Sequence, residues 1–109
     1  MVEKRLNKRV NPPDGSVVIN QLEGKVLGKI VDVSAGGFLL AGREKFCSGM
    51  IFQLNLVIAM KSKISLSVGA ECIWSDPQAS GLTFGGFQII DISDGDRDKL
   101  NTAINKLDH

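Results

Sequence analysis

Residues 63–74 read "KISLSVGAECIW", and apolar side chains recur there at every second position. Ile64, Leu66, Val68, Ala70, Cys72 and Trp74 fall on one side, while Ser65, Ser67 and Glu71 fall on the other. A strand points successive side chains to opposite faces, so this alternation predicts a half-buried strand with one packed and one wet side. The preceding stretch "MIFQLNLVIAM" repeats the device. Phe52, Leu54, Leu56, Ile58 and Met60 share a face, and Gln53 and Asn55 take the opposite one. Such alternation is typical of antiparallel sheets, because parallel sheets are covered on both faces.

Outward from this pair the same period continues. "GSVVINQLEGKVLGKIVDV" (15–33) predicts two short strands broken near Glu23-Gly24. Pro77 and Gly81 bracket a loop, and "LTFGGFQIIDI" (82–92) supplies the last strand, with Gly85-Gly86 marking a bulge or sharp bend in it. The period then changes. Ser93 followed by Asp96 fits the [ST]-x-x-[DE] helix start, and Leu100, Ala103, Ile104 and Leu107 fall at i, i+3, i+4 and i+7. The spacing predicts one helix over residues 94–107. Five or six short antiparallel strands with one terminal helix predict an all-β fold: a small barrel, closed or nearly so, with the helix over an open end.

At 109 residues the chain reads as one domain, large enough for a modest core without metal or disulfide staples. Its net charge of +1 argues neither for nor against nucleic acid, so only local clusters can. "MVEKRLNKRVNPP" opens the chain with charges where a signal peptide needs an apolar run, and no stretch is long and apolar enough to span a bilayer. These features predict a cytoplasmic protein with no membrane segment. Cys47 and Cys72 sit in apolar settings without CxxC spacing, and are read as two reduced core cysteines. The basic, non-periodic residues 1–13, ended by Pro12-Pro13, read as a flexible arm ahead of a folded unit over 14–109.

Catalysis is hard to seat in this chain, and the expectation is a protein that is not an enzyme. The one histidine is His109, at the last position, where no Ser-His or Cys-His pair is easily held. "GKVLGKI" has the wrong glycine spacing for a phosphate loop and lacks Ser or Thr after the lysine. Asp94, Asp96 and Asp98 begin like a calcium loop, but Lys99 replaces the turn glycine and Asn105 the closing glutamate. Those aspartates fit a helix N-terminus instead, where the dipole favours negative charge. No metal and no cofactor is expected. Nucleic-acid barrels stack bases on aromatics, and the phenylalanines here are more simply read as core.

Two motifs remain. "VDVSAGGFLL" (31–40) interrupts a strand with Asp32, Ser34, Gly36 and Gly37. A carboxylate can accept hydrogen bonds from the N–H edge of guanine, and a hydroxyl can donate to a phosphate oxygen. Glycine lets a flat base or a phosphate approach the backbone closely. Upstream, "RLNKR" sets Arg5 and Arg9 at R-x-x-x-R spacing, and guanidinium forks engage guanine O6/N7 or phosphate. Either motif alone is common; the order of basic arm, proline break, hairpin and D-x-S-x-x-G is specific.

That order resembles the PilZ domain family, the bacterial receptor module for cyclic di-GMP, and the resemblance covers nearly the whole chain. Arg5 and Arg9 match the family's R-x-x-x-R, and Asp32, Ser34 and Gly37 match its [D/N]-x-S-x-x-G. "FGGFQIIDIS" is similar to the family's last barrel strand, although Ile89 stands where an aromatic is common. The resemblance implies a six-stranded antiparallel barrel with a C-terminal helix. It also implies a cyclic di-GMP site formed by Arg5, Arg9, Asp32, Ser34, Gly36 and Gly37, and a downstream protein partner that receives the signal. Two other readings stand beside it: a PilZ-like adaptor that binds protein and no nucleotide, and a small nucleic-acid-binding barrel.

Overall fold

The computed structural model of the chain describes residues 8–108. Six strands run in chain order: β1 (Val17–Asn20), β2 (Lys25–Ser34), β3 (Gly37–Gly42), β4 (Ile51–Ile58), β5 (Ile64–Pro77) and β6 (Thr83–Ile92). One helix, α1 (Asp94–Leu107), follows. The strands close into a barrel in the order β1-β2-β3-β6-β5-β4, every pairing antiparallel. Two three-strand meanders are thus joined edge to edge, at β3–β6 and at β4–β1. Closure leaves no unpaired sheet edge for another chain to template on.

The alternation in β4 and β5 is realised side chain by side chain. Leu54, Leu56, Ile58, Leu66, Val68, Ala70 and Cys72 are buried, while Gln53, Ser65 and Ser67 face solvent. Each large aliphatic side chain so buried contributes about 1.5–3 kcal/mol. Phe38, Leu40, Phe87 and Val33 fill the same core, with the Phe38 and Phe87 rings stacked at 5.2 Å.

The helix begins at the expected residue for the expected reason. Ser93 is its N-cap, its side chain accepting from the Asp96 amide at 3.2 Å. Asp94 and Asp96 lie in the first turn, on the favourable side of the dipole. Asp96 also accepts from the Ser67 amide at 3.1 Å, one residue past the last β5–β6 partner pair, Val68 and Ile92. The helix is thereby fastened to β5 where the ladder ends. Leu100, Ala103 and Ile104 bury its apolar stripe in the barrel core. Among the described residues no helix is long and apolar enough to cross a membrane.

Four details differ from the sequence reading. Trp74 was expected inward but is 46% exposed, because a register shift between Cys72 and Trp74 reverses the alternation. The irregularity expected at Gly85-Gly86 is therefore carried by the opposite strand. Cys47 is exposed rather than in the core, on the β3–β4 connection; only Cys72 is buried. Burial pushes the Cys72 thiol above its ordinary pKa, which keeps it protonated and unreactive at neutral pH.

The fourth concerns the arm, which is attached well before residue 13. Val10 is buried and exchanges two backbone hydrogen bonds of 2.9 Å with Val33, Asn11 donates to the Val31 carbonyl, and Lys8 pairs with Asp108 at 2.5 Å. One apolar side chain with a two-bond bridge suffices where no periodic pattern would reveal it.

Leu100→Ala is expected to destabilise the domain by about 2–5 kcal/mol through the lost packing and residual cavity. Ser93→Ala, which removes only the cap, should cost about 1 kcal/mol. Urea unfolding followed by circular dichroism separates the two.

Candidate functional site

Strands β2 and β5 each carry a bulge, and these bulges create the site. In β2 the register with β3 shifts between Ile30 and Asp32, so Val31 is the extra residue. Ile30 and Val33 point into the core, and Asp32, which strict alternation would have turned inward with Ile30, lies on the outer face. In β5 the extra residue is Ile73, and it turns Trp74 out in the same way. Strand pairing then lines up Asp32 with Leu39, Leu39 with Gly86, and Gly86 with Trp74. A single row across four strands therefore runs from a carboxylate to an indole, roughly 14 Å at the usual strand spacing.

Glycine at the centre of this row is what lets the indole lie down. A Cβ on Gly86 would stand 2.2 Å from Trp74 Nε1, so the ring occupies the space that any other side chain would fill. Gly85, on the opposite face, makes the same room for Phe46. The pair of glycines that the sequence reading took for a bend is a seat for two aromatic rings.

Arg9 completes the row from above. Its Nη1 donates to Asp32 Oδ1 at 2.6 Å, with the arginine side chain 56% and the aspartate 20% exposed. Val10, bridged to Val33, holds the arm at that height. Beneath Arg9 a recess of about 330 Å³ is lined by Ser34, Gly36, Gly37, Trp74 and Gln88, and a second of about 230 Å³ adjoins it at Asp32 and Leu39. Arg9, Trp74 and Gly86 line both.

The structure thus brings Arg9, Asp32, Ser34, Gly36 and Gly37 together, while Arg5 lies outside the described residues. Ser34 is 4% exposed, and its Oγ donates to the Gly37 carbonyl at 3.2 Å, so it also locks the turn. Neither Gly36 nor Gly37 has a positive φ, so left-handed backbone is not the reason for glycine here. At Gly37 the reason is closure: a Cβ would stand 2.1 Å from the Phe87 carbonyl oxygen across the β3–β6 seam. Gly36 has open space above it, and its absent side chain leaves the recess floor bare.

The sequence reading missed Trp74, Gly86 and Gln88. The available signal was the Gly85-Gly86 pair opposite a strand with an aromatic near its end. Among the described residues no group of three or more His, Cys, Asp or Glu side chains is placed to hold a metal ion. The site therefore offers a guanidinium, a carboxylate, an indole face and bare backbone, a set suited to a ligand with anionic groups and flat polar edges.

The described residues thus form a closed six-stranded antiparallel barrel with a C-terminal helix and with Arg9 paired to Asp32 on one outer face. The sequence matches the family described as PilZ domain over residues 3–106, and the chain belongs to that family. Among solved structures it is similar to the PilZ domain with c-di-GMP of YcgR from Escherichia coli. That match has 16% identity and a TM-score of 0.66, covering 96% of this chain and 92% of that one. The crystal structure of YcgR in complex with c-di-GMP gives 18% identity and a TM-score of 0.72, covering 96% of this chain and 46% of that one. The Bacillus subtilis inhibitor of motility MotI/DgrA gives 19% and 0.69, covering 91% and 50%. The chain thus spans about half the length of the last two. No curated protein is matched by the sequence.

Gly86→Ala should leave the barrel folded, since the obstructing atoms belong to an exposed side chain that can swing away. Trp74 is the one tryptophan, so its displacement should appear as a red-shifted emission with greater iodide quenching. Gly37→Ala meets backbone instead and should destabilise the domain by roughly 2–3 kcal/mol.

Proposed function

We propose that the protein is a non-catalytic receptor for cyclic di-GMP, bound on the outer face between the arm and the row from Asp32 to Trp74. One observation carries the reading: the Arg9–Asp32 pair stands over a recess walled by Trp74 and floored by Gly36 and Gly37. Cyclic di-GMP has two guanines and two phosphates. Arg9 supplies a fork for guanine O6/N7 or phosphate, Asp32 an acceptor for the guanine N–H edge, and Trp74 a face on which a purine can stack. Arg5 reaches the same ligand from the preceding part of the arm. Membership of the PilZ family and the c-di-GMP named with the two YcgR structures support this assignment.

The signal leaves through the arm to a protein partner. Lys8 is tied to Asp108 beyond the helix, and Arg9, next to it, to Asp32. A phosphate that recruits Arg9 draws on the chain that holds Lys8. Docked ligand therefore rearranges the arm ahead of Val10 and exposes a new surface beside α1. Only the arm ahead of Val10 takes part, because Val10 is already in place.

Calorimetry with cyclic di-GMP tests the reading, and saturable binding to the wild-type protein is expected. Arg9→Ala should weaken it by roughly 1.5–3 kcal/mol. Trp74→Ala should weaken it by about 1–3 kcal/mol. Asp32→Ala should narrow the preference over cyclic di-AMP. Affinity should fall only modestly with salt, whereas a site on a long nucleic acid would lose orders of magnitude between about 50 and 200 mM. No binding at millimolar nucleotide would leave the adaptor reading in its place.

Hydrogen exchange locates the switch. The Val10 amide should be protected with or without nucleotide. Amides at residues 4–8 should gain protection only with it, and equal exchange in both states would remove the arm from the mechanism.

A further inference from the structure

A cavity of about 510 Å³, larger than either recess over Asp32 and Trp74, lies apart from that face and shares none of its lining residues. It opens between the β3–β4 connection, the end of β5 and the β5–β6 turn. Phe46, Met50, Pro77 and Leu82 make its apolar walls. Phe46 is 4% exposed and fixed edge-on to Phe87 at 5.3 Å, so that wall is preset rather than adaptable. Volume and lining are those of a small-molecule pocket with a few convergent polar groups.

The polar groups are of one sign. Arg43 and Lys45 line the cavity, Glu44 between them does not, and no acidic side chain does so among the described residues. Neither cation has a carboxylate partner within ion-pair distance among the described residues. Arg43 is held by one nitrogen, its Nη1 donating to the Ser80 carbonyl at 3.4 Å. The remaining guanidinium N–H groups keep the fork that matches a carboxylate. An apolar chamber with two cations at its walls selects against neutral hydrocarbons, which gain nothing from the charges, and against small hydrophilic anions, which gain nothing from the walls.

We propose that this cavity is a second ligand site, separate from the nucleotide site, for a small aryl carboxylate. The aromatic body packs against Phe46 and Met50, and the carboxylate engages Arg43 with Lys45 beside it. The assignment does not depend on what binds over Asp32 and Trp74.

1-Naphthoate is the probe, with 1-naphthalenemethanol as its neutral counterpart. Two reporters sit in the cavity: the Met50 methyl group, assigned by Met50→Leu, and the exposed Cys47 thiol, whose rate of labelling by N-ethylmaleimide is measured against that of buried Cys72. Naphthoate is expected to shift the Met50 methyl resonance saturably and to slow Cys47 labelling. Arg43→Gln and Lys45→Gln, both at exposed positions, should each weaken binding by roughly tenfold, the scale of one charge-assisted hydrogen bond. Leu82→Trp, which fills the chamber and keeps both cations, should abolish it. Cyclic di-GMP calorimetry should be unchanged in all three variants. Naphthalenemethanol binding as tightly as naphthoate, undiminished naphthoate binding in Arg43→Gln and Lys45→Gln, or no saturable shift at millimolar naphthoate would each overturn the proposal.

Discussion

Strict alternation in a strand is the constraint on which this domain turns, and two of the places where it is broken build the site. A β-strand with one buried face sends every second side chain inward, and a one-residue slip reverses the whole set. In β2 the extra Val31 moves Asp32 outward while Val33 returns to the core; in β5 the extra Ile73 does the same for Trp74 while Cys72 stays inside. Without the first bulge a carboxylate would be driven into an apolar barrel at a desolvation cost no neighbour could offset. Without the second, a large indole would compete for volume with Phe46 and Phe87. Each bulge thus relieves the core of a residue it cannot accept and delivers that residue to the same outer row.

The glycines divide by the same logic. Gly37 is demanded by the barrel, since the Phe87 carbonyl fills the place of its side chain. Gly86 is demanded by Trp74, whose ring covers it. Gly36 is demanded by neither, and its lack of a side chain matters only to whatever approaches the turn. One short motif therefore mixes closure of the β3–β6 seam with openness to a ligand, and a substitution at Gly37 tests folding before it tests binding. Ser34 has the same double character, buried and bonded across the turn while lining the recess.

Much of this was legible in the sequence, and the failures have a common cause. The alternation of β4 and of β5 as far as Cys72, the Ser93 cap and the stripe from Leu100 to Leu107 are local patterns, and the structure realises them. The family resemblance assigned Arg9 and Asp32 to one ligand site, but their direct pairing was not part of that reading. Trp74 was placed on the wrong face because a bulge adds a residue without any composition of its own. Cys47 was placed in the core because an apolar neighbourhood in sequence is not one in space. Val10 was overlooked because a lone valine in a basic segment has no period to betray it. Each miss concerns the placement of a residue against parts of the chain distant in sequence, which no window along the chain contains.

The Arg9–Asp32 pair keeps its arginine in place without holding it fast. With the guanidinium more than half exposed, the pair contributes only about 0–1 kcal/mol, so exchanging the aspartate for a phosphate or a guanine edge meets little resistance. A buried pair would resist by several kcal/mol, because opening it strands a desolvated charge. Val10 supplies the complementary property. Its burial and its two bonds to Val33 keep Arg9 tethered above the recess, so an arginine released from Asp32 would stay there. Weak electrostatics at one residue and firm packing at the next together make the contact reversible in place. Lys8, on the other side of Arg9, is paired with Asp108 at the end of the helix.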